Sequence, residues 1–158
     1  MFLKIDGSRQ GAIKGEAQDA GHKDEIDVLG WTWGMEGNRI HGQASAKTVV
    51  HDLKFTKQVD KASTGLMSAL RSNEVIKKAV LTVRKSSGTK PIEYYTITME
   101  KGRITSLVQQ SGEEGGAATI NEEVSIAFSK VAVDYTPQGD DGKVRGGTSF
   151  DMDIFEGV

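Results

Sequence analysis

Histidine and cysteine content limits the chemistry that this chain can perform. It has three histidines, His22, His41 and His51, and no cysteine. Without cysteine there is no disulfide framework, no thiolate-bound zinc and no thiol nucleophile. The histidine spacings fit no metal motif, and His51 lies on a predicted strand face, where a hydrogen-bonded structural histidine is expected. We therefore predict no metal site.

Other catalytic patterns are also missing from the sequence. There is no Gly-x-Ser-x-Gly elbow, no phosphate-binding Gly-x-x-x-x-Gly-Lys and no Gly-x-Gly-x-x-Gly. Asp151-Met152-Asp153 starts like a calcium loop, but the glycine and the bidentate glutamate do not follow at the required positions. Ser63 and Thr64 have no base partner and are predicted to cap a helix. We predict no enzymatic activity and no cofactor.

Trp31 and Trp33 form the most prominent aromatic pair. Two tryptophans on one strand face can form a stacking platform for sugars or bases. The favoured interpretation is packing in the core or against another subunit, because each indole buries a large apolar area. Thr32, between them, points to the opposite face and is predicted to meet solvent or a lumen.

Length and charge exclude several classes of protein. The 158 residues carry 20 basic and 22 acidic side chains, a formal net charge of −2. One domain spanning residues 1–158 is expected from the length. The balanced charge disfavours a nucleic-acid binder and a polybasic membrane-surface protein. No signal peptide and no membrane-spanning apolar run are predicted.

Short alternating runs between Gly, Ser and Asp clusters predict a mainly β domain. One short helix is expected around Leu66–Leu70, with Asp60, Ser63 or Thr64 as the N-cap and Arg71 in its last turn. The predicted strands are residues 2–6, 25–34, 48–56, 75–85, 92–101, 103–110, 123–135 and 148–155. The predicted connections are loops at residues 34–47, 112–116 and 136–147, and turns at residues 86–89 and 101–102.

The strand over residues 123–135 changes its apolar phase near Ser129-Lys130, which predicts a bulge or a bend from one sheet into another.

The two long polar loops and several strands without an evident partner point to an assembly protein before an enzyme. Open strand edges pair readily with neighbouring chains.

The order and spacing of several segments resemble the haemolysin-coregulated protein (Hcp) family of bacterial type VI secretion systems. The resemblance covers nearly the whole chain. The segments that carry it are Phe2–Ile5, Ile13–Glu16, His22, Glu25–Gly34, Asp52–Lys57, Val59–Ser63, Glu93–Thr98, Glu122–Phe128 and Val133–Tyr135.

The resemblance implies a fold: two packed antiparallel sheets that form a barrel-like sandwich, with one short helix at the side. It also implies a function as a tube subunit, in which hexameric rings stack and carry effector proteins in the lumen. The implied partners are other copies of the chain, a spike protein, contractile sheath proteins and effectors. The protein would be cytoplasmic until the tube is fired out of the cell, and then extracellular.

We assign candidate roles to three groups of residues. Thr32 is the lumen-facing candidate on an inner-wall strand over residues 25–33, and Trp31 and Trp33 are the packing or interface candidates. The candidates for ring stacking lie in the two long loops and are Gly37, Asn38, Arg39, Gln138, Asp140 and Asp141. Two other classes of function stay open: a monomeric β-barrel with the tryptophans in a ligand pocket, and a phage-like tail tube protein.

Overall fold

Antiparallel strands account for most of the fold. The structure, a computed structural model, describes residues 1–37, 48–87, 90–137 and 146–154. Within those ranges the elements are β1 (Phe2–Gly7), β2 (Gly11–Ala12), β3 (Ile26–Asp27), β4 (Gly30–Thr32), β5 (Met35–Glu36), β6 (Val49–Val50), β7 (Leu53–Gln58), α1 (Ala62–Ser72), β8 (Ile76–Ser87), β9 (Lys90–Glu114), β10 (Ala117–Tyr135) and β11 (Thr148–Asp153). A two-stranded ribbon, β5–β6, accompanies a large nine-stranded sheet with the order β2-β1-β8-β9-β10-β7-β4, in which β3 pairs with β1 and β11 with β10.

The two longest strands, β9 and β10, pair along almost their whole length and belong to both layers of the sandwich. The first half of β9 pairs with β8, and the second half of β10 pairs with β11. The first half of β10 pairs with β7 instead. One core cluster joins apolar side chains of β1 and β8 to those of β7 and β10, so the two parts of the folded sheet face each other. The predicted mainly β sandwich is confirmed.

The predicted strand over residues 25–34 is interrupted in the structure. β3 pairs with β1, whereas β4 pairs with β7, at the other end of the sheet order. The residues between β3 and β4 hydrogen-bond to both partner regions. The Val28 amide donates to the carbonyl of Met1, next to β1, and the Leu29 amide donates to the carbonyl of Thr56 in β7. Leu29, inside the predicted strand, is 58% exposed because the chain crosses between two partner strands at this point.

The predicted helix is confirmed as α1. Its buried residues are Ala62, Ser63, Leu66 and Ala69, and Arg71 lies in its last turn. The N-cap of α1 is Lys61, which makes no side-chain capping bond, so none of the three N-cap candidates holds that position. Asp60, one residue earlier, still accepts from the Ala62 amide through its Oδ1 at 2.9 Å. At the other end Asn73 adopts the left-handed conformation that commonly ends helices.

The prediction of one continuous strand over residues 48–56 is wrong, because the strand is interrupted in its middle. Val49–Val50 and Leu53–Gln58 form separate strands, and the side chain of His51, between them, is 49% exposed. His51 therefore does not share a buried strand face with Leu53.

Two predicted connections are also wrong. The expected turn at Lys101-Gly102 lies inside β9, which continues because Gly102 pairs with Ile76 of β8 and with Phe128 of β10. The expected loop 112–116 is a two-residue turn: Gly115 and Gly116 have φ values of 58° and 82°, as a type I′ hairpin requires.

The change of apolar phase in β10 is visible in its burial. Val124, Ile126 and Phe128 are buried on one parity, and Val131 is buried on the other. Across from the change, Lys101 of β9 has a φ of 53°, and the β9–β10 register shifts between Ser125 and Ile126. The bend thus lies in both long strands.

Candidate functional site

The aromatic pair lies where β4 closes the end of the sandwich. Trp31 stands opposite Phe55 of β7 and stacks on Tyr95 with ring centroids 6.0 Å apart. Trp33 tilts against Phe128 at 6.1 Å, and its indole N–H donates to the His51 carbonyl at 3.0 Å. Both indoles pack against the core and are only partly buried. Packing of this kind disfavours an open stacking platform for a small ligand.

Thr32 lies on the other face of β4. It is exposed and stands opposite Lys54, which is also exposed. The structure therefore leaves this side chain available to a lumen or to solvent.

The two long loops contain the candidates for ring stacking. Gly37 directly follows β5, inside the β5–β6 ribbon, and is exposed. The ribbon is held by the His51 amide, which donates to Gly34, and by the 3.3 Å pair of His51 Nε2 with Glu36. The remaining stacking candidates, Asn38, Arg39, Gln138, Asp140 and Asp141, lie outside the described residues, as does His41.

His22 is buried between two carboxylates, an arrangement that the sequence did not indicate. Its Nδ1 lies 2.9 Å from Glu25 Oε2, and its Nε2 contacts Glu93 of β9. The ring stacks on Phe2 at 4.5 Å, and Arg84 covers the Phe2 ring at 4.6 Å. These contacts tie the segment before β3 to β1 and β9. Within the described ranges no group of three His, Cys, Asp or Glu side chains is arranged to hold a metal ion.

A buried ionic network joins β7, β10 and α1, and sequence reasoning missed it. Lys57 and Glu122 form an ion pair in which both side chains are fully buried. Lys57 Nζ also bonds to Asp60 at 2.8 Å and to Ser63 Oγ at 2.9 Å. Glu122 accepts from Ser63 Oγ at 2.8 Å and from Gln109 Nε2 at 2.7 Å. Ser63, predicted as a cap, instead helps to bind this pair together.

The network controls the pKa of Glu122. Burial raises the pKa of this carboxyl, but hydrogen bonds from Lys57, Gln109 and Ser63 outweigh burial and hold it below the usual 4.5. Because the pKa is lower in the folded protein than in the unfolded chain, the carboxylate stabilises the fold above the unfolded pKa. That stability is lost as the pH falls through the folded pKa.

We therefore expect the urea midpoint of unfolding to fall as the pH is lowered from 7 to 3. Glu122→Gln should reduce this pH dependence, because that side chain no longer titrates. The dependence that remains comes from Asp19 and Glu74, whose pKa values hydrogen bonds also hold below their usual values. Glu123→Gln changes the exposed neighbouring residue and is the matched control, which should keep the wild-type profile. Equal wild-type midpoints at pH 7 and pH 3 would contradict the prediction.

Comparisons with known proteins give one consistent answer. Residues 2–135 match the family model described as "Type VI secretion system effector, Hcp". "Protein hcp1" of Pseudomonas aeruginosa is 40% identical over 151 residues, which cover 93% of this chain and 89% of that protein.

Solved structures agree with the sequence matches. A type VI secretion system effector from Yersinia pestis shares 33% identity with a TM-score of 0.76, and the match covers 97% of this chain and 98% of that one. Hcp1 from Salmonella typhimurium shares 31% identity with a TM-score of 0.79, over 99% and 95% of the two chains. In the described part of this chain, no helix has the length and apolar character needed to cross a membrane.

Proposed function

Because the chain belongs to the Hcp family of type VI secretion proteins, we propose that it is the tube subunit of such a system. Its copies close into hexameric rings, the rings stack into a tube, and the tube carries effector proteins in its lumen. The single observation that carries the proposal is the match to the family model over residues 2–135. A spike protein at the tip, contractile sheath proteins and effectors are the expected partners.

The structure supports a role in assembly in two ways. The formal net charge is −2, so copies stacked along a tube repel each other little. Exposed apolar side chains lie on several strands and on the connection between β3 and β4, and they include Leu29, Val49, Val108 and Phe150. Scattered apolar residues are normal on a surface, but here they accompany open strand edges, which favour pairing between chains.

Negative-stain electron microscopy of the purified protein tests the proposal directly. Six-fold rings with a central hole are the expected result. A featureless monomer at micromolar concentration would contradict the tube function. It would instead favour the alternative of a monomeric barrel that binds a ligand near Trp31 and Trp33.

The proposed lumen position of Thr32 makes a separate prediction. Thr32→Arg should leave rings intact, because the side chain is exposed and the substitution disturbs no core contact. The larger charged side chain should lower the protection of a bound effector against protease, since it narrows the lumen. Thr64→Arg, on the exposed face of α1, is the matched control. Normal effector protection by the Thr32→Arg rings would count against the lumen position.

A further inference from the structure

The hairpin between β9 and β10 ends in a segment that the rest of the fold contacts only along one edge. We call residues Ser111–Ile120 the arm. Its two strands pair with each other from Ser111↔Ile120 to Glu114↔Ala117, whereas β7 pairs with β10 only from Asn121 onwards. The residues of the arm are exposed on both faces, except Gly112 and Thr119, which are half-buried. The end of β7 contacts the arm along one edge, since the Val59 amide donates to the Ile120 carbonyl at 3.0 Å and Gln58 Nε2 donates to Glu114 at 3.1 Å. A two-stranded hairpin with so little packed against it is only marginally stable in water, so a partner that covers the arm stabilises it.

The tip of the arm is slender and acidic. It reads Glu113-Glu114-Gly115-Gly116-Ala117-Ala118, so two carboxylates are followed by residues with almost no side chain. The Glu114 carboxylate accepts from the side-chain Nε2 of Gln58 at 3.1 Å. Glu113 is exposed and has no ion pair with any described residue. The tip can therefore enter a narrow groove and present negative charge to it.

A groove of the opposite character lies at the bend of the same strand. Its volume is about 500 Å³, and its lining includes the apolar side chains of Leu70, Ile104 and Phe128 and the cations Lys101 and Arg103. Both cations are exposed. Arg103 donates to the Asn73 carbonyl at the end of α1, which holds the guanidinium over the groove. At the rim, Thr105 Oγ1 donates to a carboxylate oxygen of Asp52 at 2.8 Å.

The arm of a chain cannot reach its own groove. Lys101 and Glu114 both lie on β9, 13 residues apart. A strand rises about 3.3 Å per residue, so the two sites are separated by about 40 Å along the strand. A contact between them must join two copies, and it joins different surfaces of each copy. Such heterologous contacts are the kind that close into rings or continue into tubes.

We propose that the acidic tip of the arm, Glu113–Ala118, docks into the basic groove around Lys101 and Arg103 of a second copy. The carboxylates pair with the two cations, and the glycines and alanines allow the backbone to approach the apolar floor. The inference rests on the proposed function only in naming a second copy as the partner. Charge complementarity across such a contact fixes its register and excludes the arrangement of arm against arm.

Charge reversal tests the contact. Glu113→Lys/Glu114→Lys and Lys101→Glu/Arg103→Glu should each weaken assembly at least about ten-fold in an analytical ultracentrifuge, because like charges then meet. A protein with all four substitutions should assemble again. An equal mixture of the two double variants should also assemble, since alternating copies restore every contact. Lys14→Glu/Lys23→Glu, a reversal of two exposed lysines elsewhere, is the matched control.

The outcomes separate this contact from the proposed function. If the wild-type protein forms rings and both reversed variants assemble equally well, the contact is wrong and the proposed function stands. If the wild-type protein is monomeric at micromolar concentration, both are wrong. Circular dichroism of each variant verifies that it is folded. Rescue by the combined substitutions cannot come from unfolded variants.

Discussion

A Lys57→Met protein is expected to lose about 3–5 kcal/mol of its free energy of unfolding, because the substitution leaves the buried Glu122 carboxylate without its cation. Both side chains are fully buried, so water cannot replace the lost partner. Lys57 also bonds to Asp60 and Ser63, so its removal loosens the start of α1 as well. Urea denaturation measures the effect, and the midpoint should fall with little change in slope.

Two further variants make this result specific. Lys54→Met changes an exposed lysine on the same strand and should shift the free energy of unfolding by no more than about 0.5 kcal/mol. Lys57→Met/Glu122→Met removes both charges and should recover most of the loss, because buried ion pairs are often replaced by apolar residues at little cost. Equal stability of the Lys57→Met and Lys54→Met proteins would show that the ion pair does not stabilise the fold.

Local pattern explains why this network was missed. In β7 the side chains of Leu53 and Phe55 point into the core, and Lys57 is next on the same parity. Parity alone therefore placed Lys57 inside, but its charge argues for solvent. Its partner Glu122 lies far along the chain and meets it only through the pairing of β7 with β10, Glu122↔Lys57. Pairing between distant strands is not visible in a local pattern.

The ends of the strands also depend on pairing between distant strands, which a local sequence pattern does not show. Lys101-Gly102 was predicted as a turn because glycine favours turns. Lys101 does adopt a positive φ in the structure. The chain nevertheless continues as a strand, because β8 and β10 hold Gly102 from both sides. Conversely, helix α1 and the phase change in β10 were predicted correctly, since both depend on neighbouring residues alone.

The family was predicted from the resemblance of segments over the whole chain and is confirmed by the comparisons. The two surfaces of the proposed contact between copies were much harder to predict. The tip of the arm lies in a segment predicted as a loop, and the residues of the proposed groove are divided among β9, β10 and the end of α1. A contact between chains leaves no periodic signal in one chain, so both surfaces become visible only on the folded protein.

Gly102→Val is expected to cost about 3 kcal/mol, because it overpacks the bend where β9 passes from one layer of the sandwich to the other. A Cβ at Gly102 would lie 2.6 Å from the Ala127 carbonyl oxygen, a backbone atom that cannot rotate away. The paired strands β8 and β10 prevent β9 from moving aside.

Gly34→Val is the matched control, because a Cβ there meets nothing within 4 Å. Its effect should stay within about 0.5 kcal/mol. Urea denaturation measures the free energy of unfolding of both variants. Equal midpoints for the two would mean that the bend adapts to a side chain. The bend also carries Lys101 and Arg103, so a Gly102→Val protein that folds but no longer assembles would show that ring contacts depend on the backbone geometry of β9.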